Sequence, residues 1–189
     1  MYQYEDIGFR PVDEQDLEII RKNRNESSTL LNLGTADLVS CEQQKAWWSG
    51  VSISRYQQWH CIIKDNYASM IGVLRFQNID HVNRTVEVGA DIFPEFRSKG
   101  YGQKTYKMAL EYLFLHFNMN CVYLKVAAFN RTAIHVYRNV GFNETGNIPQ
   151  SIFRNGEYWD NLIMAITKES WLKTAKNATK NAAKNTKEQ

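Results

Sequence analysis

From Asp91 to Lys104 the chain reads Asp-Ile-Phe-Pro-Glu-Phe-Arg-Ser-Lys-Gly-Tyr-Gly-Gln-Lys, a strand pattern running into a loop and then at once into a helical one. The loop holds Arg97, Lys99, Gly100 and Gly102, residue types that suit an anion. Glycines let backbone N–H groups approach a phosphate, a helix N-terminus carries a partial positive charge, and Arg97 and Lys99 add full ones. The predicted ligand is therefore phosphorylated. Two common phosphate loops do not fit. The Walker-type loop needs a Gly-Lys pair, which the chain lacks, and the dinucleotide fingerprint needs a third glycine where Thr105 stands. Taken alone, the loop also reads as a tight strand–helix turn with no ligand.

A second stretch adds to the first. It runs Asn130-Arg131-Thr132-Ala133-Ile134-His135-Val136-Tyr137-Arg138-Asn139-Val140-Gly141-Phe142. The pattern Arg97-x-x-Gly100-x-Gly102 resembles the acetyl-CoA pyrophosphate loop of the GNAT superfamily of N-acetyltransferases, Gln/Arg-x-x-Gly-x-Gly/Ala. The second stretch resembles that superfamily's other cofactor-side motif, Asn-x-x-Ala-x-x-x-Tyr-x-x-x-Gly-Phe, and every fixed position matches. Residues 78–84 and 154–160, with Arg10-Pro11-Val12-Asp13 and Met164, resemble the branch of ribosomal-protein alanine, spermidine and amino-sugar acetyltransferases. The resemblance covers roughly residues 5–170.

The resemblance implies a mixed, mostly antiparallel twisted sheet with flanking helices and a splayed central strand pair. The pantetheine arm of acetyl-CoA would lie between the strand ending near Ile92 and the strand starting near Val122. The pyrophosphate would meet the backbone amides of Ser98, Lys99, Gly100, Tyr101, Gly102 and Gln103, with Arg97 beside them. Asn130 and Tyr137 would touch the cofactor, and Tyr137 would be the general acid. No metal is expected.

The implied reaction is attack of a neutral primary amine on the acetyl thioester. An alkylammonium loses its proton near pH 10.4 in water, so a base or water chain is needed. The oxyanion needs a donor, for which amides near Ile92 are placed under the splayed-strand arrangement. The departing thiolate, with a pKa of about 8.5 by analogy with cysteine, can take a proton from a phenol. Glu87 and Asp91 share one face of their strand if alternation holds, and Glu87 is the candidate base because it lies further from the phosphates. Plainer roles exist for each. Tyr137 could be a packed helix residue, Asn130 a helix cap, and the two carboxylates a hydrogen-bonded strand face. One indole of the Trp47 region could face the acceptor. The acceptor is expected to be a small-molecule amine, such as an amino-sugar nucleotide or polyamine. A protein N-terminus is the alternative, and a non-catalytic CoA-binding module a third.

These groups need elements to position them. A strand is predicted over 7–12, and Asp13 can cap a helix running to about Asn25. Ser40 can cap another over 42–51. Strands over 60–64 and 69–79 form a hairpin turned at Asp65-Asn66, and 83–93 alternates most clearly, with Val86, Val88, Ala90 and Ile92 opposite Glu87, Gly89 and Asp91. Tyr106, Ala109, Leu110, Leu113 and Phe117 recur at helical spacing. A strand follows over 121–129 and a helix over 131–139 stopped by Gly141. A hairpin of 151–153 and 158–167 closes on Asn155-Gly156, a type I′ turn signal.

With 189 residues, 43% hydrophobic and 23% charged, one domain is expected, over residues 1–172. Residues 173–189 carry five Lys and one Glu and no large apolar side chain, so that basic tail is expected to be disordered or at most a solvated helix, leaving the folded part near neutral. Nucleic acid is not expected as main partner. No apolar run approaches the roughly 20 residues of a membrane span, and the first residues are acidic, unlike a secretory leader. Three scattered cysteines form no framework and no metal-ligand spacing. Cytoplasmic residence is the expectation, and a homodimer is suggested by analogy with relatives.

Overall fold

The computed structural model describes residues 1–64 and 69–174. Eight strands form one sheet in the order β1-β2-β3-β4-β5-β6-β8-β7. They are β1 (Tyr2–Tyr4), β2 (Ile7–Pro11), β3 (Gln58–Lys64), β4 (Ser69–Asp80), β5 (Thr85–Ile92), β6 (Cys121–Ala127), β7 (Asn143–Arg154) and β8 (Glu157–Thr167). Every pairing is antiparallel except β5 with β6. Helices α1 (Leu17–Asn25), α2 (Ser27–Leu30), α3 (Cys41–Val51), α4 (Tyr101–Glu111) and α5 (Arg131–Val140) interleave, and the described residues 168–174 are helical too. This is the mixed, mostly antiparallel α/β architecture expected.

Local chemistry explains most boundaries. Ser40 Oγ accepts from the Gln43 amide while Gln43 Oε1 accepts from the Ser40 amide, a capping box that starts α3. Asn130 Oδ1 accepts from the Ala133 amide and starts α5, and Gly141, at φ +109°, ends it. Asn155 and Gly156 have φ of +52° and +81°, as a type I′ hairpin turn requires. The helix expected after Asp13 begins instead with a 3-10 turn, Glu14–Asp16, before α1. There Asp16 accepts from the Asp13 amide and from Arg10. Three features were not anticipated: β1, the one-turn α2, and the early start of β7 at Asn143. β1 and β7 are the edge strands, where one face and one edge meet solvent and the apolar alternation fades. The Asp65-Asn66 turn and residues 175–189 of the basic tail lie outside the described residues.

The sheet separates two cores. On one face α4, the π-helical turn Tyr112–His116 that continues it, and α5 bring Met108, Leu110, Leu113 and Ile134 against Leu74, Phe76, Val86, Val88, Val122 and Leu124. On the other, α1 and the indoles of α3 pack on Cys61, Ile63 and Val73. Among the described residues, no helix is long and apolar enough to cross a membrane.

The central pair positions the site. β5 and β6 align only at Thr85 with Cys121, Val86 with Val122 and Glu87 with Tyr123. Beyond Glu87 they part. The Ala90 amide turns to the Tyr106 hydroxyl on α4, at 3.0 Å. The Phe93 amide bonds Ile71 O on the β4 side. Alternation along β5 therefore aims the Ile92 amide toward the side from which β6 has withdrawn.

Candidate active site

After β5, Pro94–Phe96 makes one 3-10 turn, and Arg97 is extended. Ser98 and Gly100 then take left-handed conformations, φ +59° and +82°, and α4 starts at Tyr101. This backbone leaves the amides of Ser98, Lys99, Gly100, Tyr101, Gly102 and Gln103 without an acceptor among the described residues; the Lys104 amide is the first to close a helical bond, to Gly100 O at 3.1 Å. Partnerless amides converging at a helix start form an anion cradle. A Cβ built at Gly100 or Gly102 would meet nothing within 4 Å. The space beside these glycines is open to a ligand, and a diphosphate fits the donor set.

The two cations of the loop are tied into the protein. Arg97 Nε donates to Ile92 O (2.9 Å), Nη1 to Ser28 Oγ (2.9 Å) and Nη2 to Thr29 Oγ1 (2.6 Å). Arg97 thereby braces the loop against α2, which explains why this short helix is held. Lys99 Nζ donates to Glu95 O at 2.9 Å and lies over the Phe96 ring. The positive potential of the cradle thus comes with its donors already backbone-borne and its cations anchored.

A cleft of about 1040 Å³ opens beside the cradle. Its wall includes Arg97, Gly102, Ile92, Asn130, Tyr137 and Glu87, so residues distant in sequence meet in one cavity. Ser98, Lys99, Gly100, Tyr101 and Gln103 are not wall residues; they form the adjoining loop and first helical turn. Trp47 of α3 and Trp59 of β3 also face the cleft, with ring centroids 4.6 Å apart. The Arg75 guanidinium lies over Trp59 and pairs with Asp91.

The titratable groups divide by their partners. Register runs unbroken from Gln77↔Glu87 to Gly72↔Ile92, so Glu87 and Asp91 do share a face. Glu87 Oε2 accepts from Asn78 Nδ2 (2.8 Å) and Lys125 Nζ (3.1 Å). Asp91 is held by Arg75. Tyr137 is half-buried, and loss of solvent pushes its phenol above the usual value; Asp91 pushes it further, while the bond from Tyr106 and the charge of Arg75 oppose the shift. At neutral pH Tyr137 therefore keeps its proton.

Tyr106 is the residue that sequence reasoning missed. Its helical spacing marked it as core, and it is 4% exposed, yet its hydroxyl meets Tyr137 Oη at 3.3 Å. Arg75 was also missed, since nothing in a strand sequence says that its arginine will lie across an indole.

Three comparisons with known proteins bear on this site. Residues 6–143 match the family model described as acetyltransferase (GNAT) domain. The spermidine N(1)-acetyltransferase of Vibrio cholerae is 32% identical over 111 residues, 59% of this chain and 64% of that protein. The Escherichia coli K12 spermidine N(1)-acetyltransferase is 35% identical over 101 residues, 53% of this chain and 54% of that protein. The chain thus spans less than two thirds of the length of either relative. The crystal structure of the Vibrio cholerae spermidine N-acetyltransferase in complex with CoA and spermine superposes with a TM-score of 0.84 at 24% identity, covering 89% of this chain and 99% of that one, which is a shared fold.

Proposed function

The chain belongs to the GNAT acetyltransferase family, and we propose that it moves an acetyl group from acetyl-CoA to a primary amine of a small molecule. The observation that carries this reading is the run of partnerless amides from Ser98 to Gln103 adjoining a cleft that also holds Tyr137. The amides take the diphosphate, and Gly100 and Gly102 allow the close approach. The arm lies where β5 and β6 part, with Asn130 at its side. Its acyl end reaches the Ile92 amide, a donor for the developing oxyanion.

Glu87 accepts the ammonium proton through water. The freed amine attacks the carbonyl carbon, the C–S bond breaks, and Tyr137 gives its proton to the leaving sulfur. As the C–S bond breaks, the nitrogen sheds its second proton, which restores the Tyr137 phenol through water, and Glu87 releases the first to solvent, so one proton is freed per turnover. The names of the relatives support a polyamine acceptor, and an amino-sugar nucleotide presents the same nucleophile. Residues 1–172 are proposed to act as one domain in the cytoplasm, with the basic tail as a solubilising extension.

The test is an assay of CoA release from acetyl-CoA. The panel is spermidine, UDP- and dTDP-amino sugars, an aminoglycoside and a ribosomal N-terminal peptide. Turnover with a small amine is expected. Tyr137→Phe should lower kcat by about 10²-fold or more while acetyl-CoA affinity holds. Turnover on the peptide alone overturns the acceptor; an active Tyr137→Phe overturns the acid; no saturable acetyl-CoA binding overturns both.

A further inference from the structure

We propose that Tyr106 is a positioning residue that aims the Tyr137 proton into the cleft, an assignment that rests on Tyr137 being the acid. A phenol has one proton to give and lone pairs to receive with. The Ala90 amide donates to Tyr106 Oη at 3.0 Å, and Tyr106 Oη donates to Tyr137 Oη at 3.3 Å. The rings meet edge-to-face, centroids 4.9 Å apart and planes at 76°, so neither hydroxyl can swing away without moving a packed ring.

The opposite direction of the pair is disfavoured. Were Tyr137 to donate to Tyr106, the Tyr106 proton would need another acceptor. None is present among the described residues; at 4% exposure Tyr106 touches solvent only along the cleft wall, so a proton turned away from Tyr137 would lose its protein acceptor. Tyr137 Oη is therefore an acceptor toward Tyr106, and its own proton must point elsewhere. Tyr137 lines the cleft and has no other hydrogen-bond partner among the described residues, so the cleft is where the proton is available.

The same bond assists the step itself. When Tyr137 gives its proton to the leaving sulfur, the phenolate that remains accepts a charge-assisted bond from Tyr106. The start of the relay is also tied to the splay. The Ala90 amide is free to cap Tyr106 because β6 has parted from β5 at this level. The opening that admits a ligand and the aim of the acid thus share one cause.

Tyr106→Phe keeps the ring and deletes the hydroxyl. With that bond worth about one pKa unit to the phenolate, kcat should fall about tenfold. The acetyl-CoA dissociation constant should stay near wild type, which certifies the fold, while the thermal midpoint should drop because the Ala90 amide loses its acceptor. NMR of ¹³C-labelled tyrosine, with Tyr137 assigned by its loss in Tyr137→Phe, should show the phenol titrating at higher pH in Tyr106→Phe. The double variant should be no slower than Tyr137→Phe alone, because Tyr106 acts through Tyr137. An impaired Tyr137→Phe beside a fully active Tyr106→Phe overturns the relay and leaves the acid assignment intact. A fully active Tyr137→Phe overturns the acid assignment, and the relay with it. A Tyr106→Phe that is slow but leaves the Tyr137 titration unmoved also overturns the relay.

Discussion

His60 is a base enclosed by rings. Its centroid lies 4.8 Å from Phe9 and 5.0 Å from Phe76, and neither nitrogen has a partner. Burial drops its pKa to about 4. The sign follows directly. An unfolded histidine takes up a proton near pH 6.5, whereas the folded one resists until about 4. The stability this site supports is complete above 6.5, declines as pH falls toward 4, and is level below that. The decline is on the order of 3 kcal/mol. His60→Phe should remove it. Urea unfolding at pH 7.5 and pH 4.5 would show a smaller loss in the variant; equal losses in both proteins would refute the account. At the same scale, the proposed roles of Tyr106 and Tyr137 turn on which way one proton points.

β4 and β5 approach so closely that a Cβ added at Gly72 would lie 2.3 Å from Asp91 O. The obstacle is backbone and cannot rotate aside. Gly72→Ala must therefore push β5 away at Asp91 and Ile92, the part of the strand whose outward amide is the proposed oxyanion donor. Overpacking of this kind costs roughly 1–3 kcal/mol, and the contact here puts Gly72→Ala at the upper end. Thermal unfolding should show the loss, and calorimetry should show weaker acetyl-CoA binding. A variant as stable as the parent would mean that the strand yields more easily than its register suggests. The start of α4 differs: Gly100 and Gly102 face open space, so they serve approach from outside, not packing within.

Across the molecule, the sheet is continuous on both sides of the gap, since β6 pairs with β8 along its whole length and β5 with β4. The gap is thus a defect held open by intact neighbours. It leaves backbone groups unpaired until a ligand supplies them, so binding should stabilise the whole fold. At a hundred times the dissociation constant the gain is about 2.7 kcal/mol, which for a chain of this size raises Tm by roughly 5–10 °C. Differential scanning fluorimetry with acetyl-CoA should show that shift, and Gly72→Ala should show less of it. No shift at saturating ligand would count against the cradle.

What the residues alone determined is whatever depends on near neighbours in the chain. The Ser40 and Asn130 caps, the Asn155-Gly156 turn, the alternation of β5 and the two glycines at the start of α4 are each governed by a few consecutive φ and ψ angles and one side chain. The pairing of the loop with the Asn130–Phe142 stretch was legible as well, because each carries its own residue pattern. Contacts over long separations were not. That Arg97 would reach back to Ser28 and Thr29, that Glu87 would meet Lys125, and that Tyr106 would stand between Ala90 and Tyr137 depend on how α4, α5 and the parted strands pack. Helical periodicity tells that Tyr106 is inside, since burial is a property of one face. It carries no information about which hydroxyl waits on the neighbouring helix, and only the packed fold brings the two together.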